Sequence, residues 1–377
     1  MHILVCSPSW PTSKTIDFVF VDQLCRAFAD LGHRVTVIAP QSITKCVVRH
    51  VPIAKRHYTY QTEKGNSIEI YRPYTISLGN SGVKLPFGTD EQAVKRAFKK
   101  IKDKPDVCYG HFWGSIFYLY PLAKASGIPL YGASGEEDVS YYVHHSEEYK
   151  KEVRDYLSGI VSVSTKNQQE CFSLNLVEPE KSIVIPNAID QTLFYKRDKA
   201  ICRKELGLNE KDFIVAFVGQ FVPRKGTLRL SEALKKLNDS EIKAVFIGSG
   251  QEDPDYAGIV HKGTVAHDDV PRWLSAADVF VLPTQNEGCC NAIIEAMACG
   301  LPIISSNKSF NWDVLNDKNS IMIDPDNVDD IASAIKTLKA NNDLRKSMAE
   351  AAQKTAAGLS IQKRAERIID FIKSSLL

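Results

Sequence analysis

No stretch of this chain approaches the 18 or so consecutive apolar residues that a membrane-spanning helix needs. Its opening, Met1-His2-Ile3-Leu4-Val5-Cys6-Ser7-Pro8, has neither the basic leader nor the apolar length of a secretory signal, so a cytoplasmic placement is expected. Charge of one sign is lacking too. The 47 Lys and Arg nearly cancel the 45 Asp and Glu, which leaves +2, and a surface built for nucleic acid is not implied. None of the nine cysteines forms a C-x2-C pair, and an odd number cannot close into a disulfide framework, so reduced thiols are expected. The loop Pro8-Ser9-Trp10-Pro11-Thr12-Ser13-Lys14-Thr15-Ile16-Asp17 contains no glycine. No G-x-G-x-x-G follows an early strand either, which counts against a nicotinamide-dependent oxidoreductase. Low-complexity segments and short-period repeats are also missing.

What remains is an ordinary globular composition, 44% hydrophobic and 24% charged. A length of 377 residues is more than one core comfortably fills and suits two domains. The first units read as strand, loop, helix and strand. Residues 2–6 are apolar, 21–31 have helical spacing, Gly32 is a helix stop, and 35–39 are again apolar. The theme recurs at 106–131 and 159–174, and alternation of this kind points to parallel, doubly wound sheets. The pattern breaks around Pro186-Asn187, where the hinge is placed. A second β/α series then runs through 213–219, 244–248, 279–282 and 302–305. The expected division is 1–186, 187–360 and a final helix in 361–377.

The most informative block is Pro283-Thr284-Gln285-Asn286-Glu287-Gly288-Cys289-Cys290-Asn291-Ala292-Ile293-Ile294-Glu295-Ala296-Met297-Ala298-Cys299-Gly300-Leu301-Pro302. It places two carboxylates eight residues apart across a loop-to-helix junction. The free N–H groups and positive dipole end of such a helix favour phosphate, while carboxylates accept hydrogen bonds from hydroxyls. Phosphate plus hydroxyls describes a nucleotide or nucleotide sugar. Glu295 lies in an apolar, buried-looking segment, where a charge is costly without a partner. The vicinal Cys289-Cys290 reads either as a reactive pair or as small apolar filler, and filler is the favoured reading.

This block resembles the E-x7-E signature of family-4 glycosyltransferases, retaining enzymes of the GT-B architecture that use nucleotide-diphosphate sugars. The resemblance implies two Rossmann-like, doubly wound parallel-sheet domains facing a central cleft, with an α/β fold throughout. It implies an N-terminal acceptor-binding domain, a C-terminal nucleotide-sugar-binding domain and a last helix packing back on the first. By the family's pattern, Glu295 holds donor ribose hydroxyls. Glu287 and the backbone of Gly288, Cys289, Cys290 and Asn291 face the donor sugar and phosphates. Gly219-Gln220-Phe221-Val222-Pro223-Arg224-Lys225-Gly226 is similar to the family's G-R-x-x-x-x-K-G stretch, so Lys225 matches its phosphate-binding lysine. Gln220 stands where the family usually has arginine, and adjacent Arg224 either supplies that charge or points to solvent. Gly248-Ser249-Gly250 resembles the small-residue turn beside the donor phosphates. The stretch Gly263-Thr264-Val265-Ala266-His267 resembles the segment whose backbone meets the nucleobase, so Val265 is a candidate donor contact.

In the first domain the chain departs from the family. The glycines of the opening loop are missing, and Ser134 stands near the position where many relatives carry a sugar-contacting His. Ser134, Glu136, Glu137, Asp138, His111 and Asp17 are candidates to face the acceptor or the sugar. Asp253-Pro-Asp255 and Asp324-Pro-Asp326 have D-x-D spacing, but the second reads better as a helix cap for 328–338. No cofactor and no divalent metal beyond the nucleotide-diphosphate sugar substrate are expected. Residues 91–102 form a basic amphipathic segment. It reads either as an element resting on an anionic bilayer, in peripheral contact with the inner membrane surface, or as a crossover helix packed on its own sheet. The expected reaction is retaining, metal-independent transfer of a hexosyl group to a hydroxyl acceptor, a glycan or lipid-linked saccharide of cell-surface polysaccharide synthesis. A two-lobed, non-enzymatic ligand-binding protein of the periplasmic type is the alternative from another class.

Overall fold

The computed structural model describes residues 1–12, 18–48, 50–76, 88–140 and 143–376, with the backbone alone at 88 and 89. The chain divides into two compact units, Met1–Ile185 with Ile361–Leu377, and Pro186–Ser360. The division falls one residue before the position read from the Pro-Asn turn.

In the first unit the elements are β1 (His2–Cys6), α1 (Val19–Asp30), β2 (Arg34–Ile38), β3 (Gln41–Ser42), α2 (Ile43–Val48), β4 (His57–Gln61), β5 (Ser67–Tyr71), β6 (Tyr74–Thr75), α3 (Gly88–Phe98), β7 (Val107–His111), α4 (Trp113–Ser126), β8 (Leu130–Ser134), α5 (Glu147–Tyr156), β9 (Leu157–Ser162), α6 (Thr165–Ser173) and β10 (Ser182–Val184). The second unit contains α7 (Lys199–Glu205), β11 (Phe213–Val218), α8 (Thr227–Leu237), β12 (Ile242–Ile247), β13 (Ile259–Gly263), α9 (Val270–Ala276), β14 (Val279–Leu282), α10 (Asn291–Ala298), β15 (Ile303–Ser306), β16 (Ser320–Ile323), α11 (Val328–Ala340) and α12 (Asn342–Ala357). The last helix, α13 (Ile361–Leu376), belongs to the first unit.

The first sheet runs in the order β10-β9-β8-β7-β1-β2-β5-β4 and is parallel except for the antiparallel edge strand β4. Its central strands β1, β7 and β8 are buried at every position, the mark of a parallel sheet covered on both faces. One face packs against α1 and α13, through Phe28, Ala365, Ile368 and Ile372, and the other against α3 and α4. Two contacts seat α13. Arg364 donates to the Ile185 carbonyl, and Phe371 lies so close to Gly159 that a Cβ there would meet its ring at 2.7 Å. The basic segment is a crossover helix. Ala93, Val94 and Ala97 of α3 are buried, while Lys95, Arg96, Lys99 and Lys100 face water.

The second sheet is wholly parallel, in the order β13-β12-β11-β14-β15-β16. Chain direction across it reverses between β11 and β14, because β11 leads outward to β12 and the chain returns to β14 on the other side. Such a switch point leaves a crevice above the carboxyl ends of the two strands, where open α/β sheets bind ligands. The helix cap expected of the Asp324-Pro-Asp326 pair is instead supplied by Asn327, whose side chain accepts from the Asp329 and Asp330 N–H groups. Asp326 accepts from Gln285 at 2.6 Å, and Asp324 takes the Asp326 N–H.

Candidate functional site

The loops at the second unit's switch point come from two strand ends. After β11 the chain passes through Gly219 and a single 3-10 turn, Pro223–Lys225, before Gly226 starts α8 in the left-handed conformation, φ 79°. After β14 it passes through residues 283–290 into α10. Neither α8 nor α10 has a side-chain cap, so their first N–H groups stay available to an anion. The two loops are joined by the Gln285 N–H, which donates to the Arg224 carbonyl at 2.8 Å.

Across that junction three predicted side chains converge. Arg224 Nη1 lies 2.7 Å from Glu287 Oε1, Lys225 Nζ lies 2.5 Å from the same oxygen, and Thr284 Oγ1 donates to it at 2.8 Å. Arg224 also donates to the Asn286 carbonyl at 2.6 Å. Of the two readings offered for Arg224, the inward one is what the structure has, and Gln220 is the exposed residue. Two cations against one carboxylate leave a local excess of one positive charge in a partly buried place, which suits a phosphate. Burial alone would lower Lys225, but the neighbouring Cys290 and Glu287 outweigh it and raise the ammonium above its ordinary value. Burial pushes the Cys290 thiol up to about 11, so at neutral pH it is uncharged and Glu287 is the partner that holds Lys225. That also favours the filler reading of Cys290, which is buried.

Glu295 lies one turn into α10 and behaves differently. No described residue donates to it or pairs with it, and burial alone pushes its carboxyl up to about 7. The residue keeps some solvent access. Its charge is felt by Cys290, as are those of Lys225 and Glu287, which places all three around one thiol. A carboxylate left without donors in such a place is under-coordinated, and sugar hydroxyls would supply what it lacks.

The remaining predicted donor residues line the same edge of the sheet. Gly248 follows β12 at φ 151°, and a Cβ there would meet the Gly219 carbonyl oxygen at 1.8 Å, so only glycine fits. Ser249 is exposed and its carbonyl accepts from Phe221 at 2.9 Å, which stitches this turn to the loop after β11. Val265 follows β13 and packs its side chain on the core, which leaves only its backbone for contact. Gly288 is buried, and Asn291 opens α10 with its side-chain oxygen accepting from Asn187 at 2.9 Å. Asn187 also donates to the Cys289 carbonyl at 3.0 Å.

Two positioning residues escaped the sequence reading. Asn187 is one, signalled only by the Pro-Asn turn. The other is Arg229 on α8, whose guanidinium donates to the carbonyls of Pro223 at 2.8 Å, Pro283 at 2.9 Å and Pro325 at 2.7 Å. One side chain therefore fixes three loops. An arginine in the first turn of a helix after a Pro-Arg-Lys-Gly turn was its only sequence signal.

In the first unit the acceptor-side candidates are differently placed. Glu136 is buried with both oxygens occupied: Oε1 accepts from the Trp113 N–H at 2.6 Å, and Oε2 from Ser134 at 3.0 Å and Gly135 N at 2.9 Å. Burial raises its pKa while these donors pull the other way. Ser134, fully buried at the end of β8, spends its hydroxyl on Glu136. The pair braces the start of α4 and does not reach outward as expected. Glu137 and Asp138 are exposed. His111 ends β7, beside β1, at this sheet's own switch point. It is buried against Phe20 and Phe112, its Nδ1 has no partner, and burial holds its pKa down at about 3, so the ring is neutral. Asp17 lies outside the described residues. Asp253 and Asp255 pair with Lys262 and Lys235, and among the described residues no group of three or more His, Cys, Asp or Glu gathers as a metal site. No helix of the described residues is long and apolar enough to cross a membrane.

Comparison with known proteins matches residues 198–355 to the model for glycosyl transferases group 1, and residues 18–193 to that for glycosyltransferase family 4. A Bacillus subtilis protein named as a teichuronic acid biosynthesis glycosyltransferase, TuaC, is 30% identical over 353 residues, covering 89% of this chain and 88% of its own. Among solved structures, sucrose-phosphate synthase from Thermosynechococcus elongatus has a TM-score of 0.76 at 18% identity, over 99% of this chain and 98% of its own. Anabaena Alr3699/HepE in complex with UDP-glucose has a TM-score of 0.72 at 17% identity, over 99% of this chain and 100% of its own.

Proposed function

This chain belongs to the group 1 and family 4 glycosyltransferases, has their GT-B fold and acts in polysaccharide or glycoconjugate synthesis, and on that premise we propose that it is a retaining, metal-independent enzyme. It takes a sugar from a nucleotide diphosphate and passes it to a hydroxyl of a glycan or lipid-linked saccharide. The observation that carries this reading is the meeting of Lys225, Arg224 and Glu287 at the second unit's switch point, with the unpartnered Glu295 on the adjoining helix. A structural neighbour whose title places it in complex with UDP-glucose adds support for a nucleotide-sugar donor.

In this reading Glu295 accepts from the ribose hydroxyls, and the diphosphate lies against Lys225, Arg224 and the open N-termini of α8 and α10. The bond from the sugar's anomeric carbon to the diphosphate breaks, and its electron pair goes to the diphosphate oxygen. Lys225 and Arg224 stabilise the charge that grows there. The acceptor hydroxyl adds to the same face of the anomeric carbon and its proton passes to the departing diphosphate, so configuration is kept. Fixed cations and helix ends then take the place a divalent metal would fill. The rival readings fare worse. A ligand-binding protein does not need a cationic cluster at one sheet's switch point, and the glycine-free sequence 8–17 after β1 is a poor dinucleotide cradle.

A thermal-shift panel of uridine, guanosine and adenosine diphosphates and their sugars tests the reading. One base series is expected to raise Tm in the wild-type chain and to lose that effect in Glu295→Ala. If no member binds, or NAD binds in their place, the reading is wrong.

A further inference from the structure

The first unit contains a cavity of about 380 Å³ that none of the described candidate site residues above lines. Ligand pockets commonly run to roughly 300–1,000 Å³. Trp10, Gln41, Ser42, Lys45, Arg72 and Asp90 are among its walls. It lies past the carboxyl ends of β1, β2 and β5, the side on which α/β sheets hold ligands.

Arg72 is what distinguishes it. This residue is 3% exposed, yet among the described residues no carboxylate stands among the charges that act on it. Its Nη1 donates to the Trp10 carbonyl at 3.0 Å, the Tyr58 hydroxyl and the Cys46 thiol are among the groups that act on it, and among the described residues Nε has no partner. A buried guanidinium needs an anion to offset the hydration it has lost. Elsewhere this chain supplies one, since the equally buried Arg203 meets Asp278 at 2.7 Å. The backbone around Arg72 is firmly built. Gln41 Nε2 donates to the carbonyls of Ala54 at 2.8 Å and Arg72 at 3.2 Å, and its Oε1 accepts from the Ala54 N–H at 3.0 Å. Lys45 adds a second positive charge at the wall and Asp90 one negative, so the balance among the described walls is cationic.

We propose that this cavity binds an anionic group of the acceptor, a phosphate or a carboxylate, with Arg72 as its buried ligand and Lys45 as its outer one. The assignment rests on the glycosyltransferase reading for the word acceptor, and on the first unit alone for the anion. Burial lowers the Arg72 pKa from its ordinary value, which is the electrostatic cost a bound anion would relieve. Arginine suits the task because its planar fork can meet two oxygens of a phosphate or carboxylate together.

The test is calorimetric titration of the full chain at low salt with sodium pyrophosphate and, separately, sodium glucuronate, in an Arg224→Ala/Lys225→Ala background that removes both cations of the second unit's phosphate site. At least one anion is expected to bind. Its affinity should fall by at least about tenfold in Arg72→Gln, less in Arg72→Lys, and by about threefold in the exposed Lys45→Gln. Preference for pyrophosphate assigns a phosphorylated acceptor, and preference for glucuronate an acidic sugar. Absence of binding by both anions overturns the proposal, as does binding that both Arg72→Gln and Lys45→Gln leave unchanged. Should Arg72→Gln fail to fold because Trp10 loses its tether, Lys45→Gln decides alone, and unchanged affinity there overturns the assignment. The readout needs no sugar transfer, so failure here stays separate from failure of the nucleotide panel.

Discussion

Replacing Glu295 by glutamine should stabilise the protein while it destroys donor binding. The carboxyl is pushed up to about 7 by burial, against an ordinary value of 4.5. A group that keeps its proton to a higher pH when folded than when unfolded costs the folded state stability as pH rises from 4.5 towards 7, and the penalty is complete above 7. At 1.36 kcal/mol per pH unit the gap amounts to about 3 kcal/mol, and the partial solvent access of Glu295 reduces this to about 1–2 kcal/mol. Glutamine has nearly the same shape and never ionises. Urea denaturation of the wild type and Glu295→Gln should therefore give similar midpoints near pH 4.5 and a higher midpoint for the variant at pH 8. Nucleoside-diphosphate affinity should fall at the same time, because a neutral amide accepts ribose hydroxyls less strongly than a carboxylate does. Equal midpoints at pH 8 would show that Glu295 is not held at a cost. Unchanged nucleotide affinity would show that the cost serves something else.

Arg224→Ala should slow transfer at saturating donor by at least about tenfold, or ~1.4 kcal/mol of transition-state stabilisation, because Gln220 brings no charge and Arg224 is held inward on Glu287. Steady-state rates check this, and wild-type turnover would leave Lys225 as the only necessary cation of the pair. Gly248→Ala should destabilise the second unit by about 2–4 kcal/mol, since both its φ and the Gly219 oxygen 1.8 Å from the added Cβ oppose a side chain. Thermal unfolding would show the loss, and an unchanged Tm would contradict the geometry. Transfer should persist in excess EDTA, and activity that vanished and returned with magnesium or manganese would refute the metal-independent reading.

The second unit was legible because its chemistry is local in sequence. Short apolar runs gave β11, β12, β14 and β15 to within a residue or two. Glu287 stands out by its spacing from Glu295 and Lys225 by its turn's resemblance to the family's, although their meeting on one oxygen depends on β11 and β14 being neighbours, which no local signal states. The first unit was harder. Residues 41–76 hold β3 to β6, including an edge hairpin whose β4 is never fully buried, so its alternation carried little apolar contrast. Arg72 lies in that stretch and looked like any basic residue until burial singled it out. Glu136 misled for the opposite reason. An acidic run after a strand suggests solvent or substrate, yet one member turned inward to brace Trp113 and Ser134, and only the fold brings those donors to it.

Lys225, held by Glu287, is proposed to meet the charge that grows on a departing diphosphate. Single-turnover release of nucleoside diphosphate from a saturating nucleotide-sugar donor, compared between wild type and Lys225→Ala, measures that role. The predicted result is a rate at least about tenfold lower in the variant with affinity for the free nucleoside unchanged, because the lysine acts chiefly where the charge is greatest. Equal rates in the two proteins would contradict the claim, and so would a loss confined to nucleoside affinity.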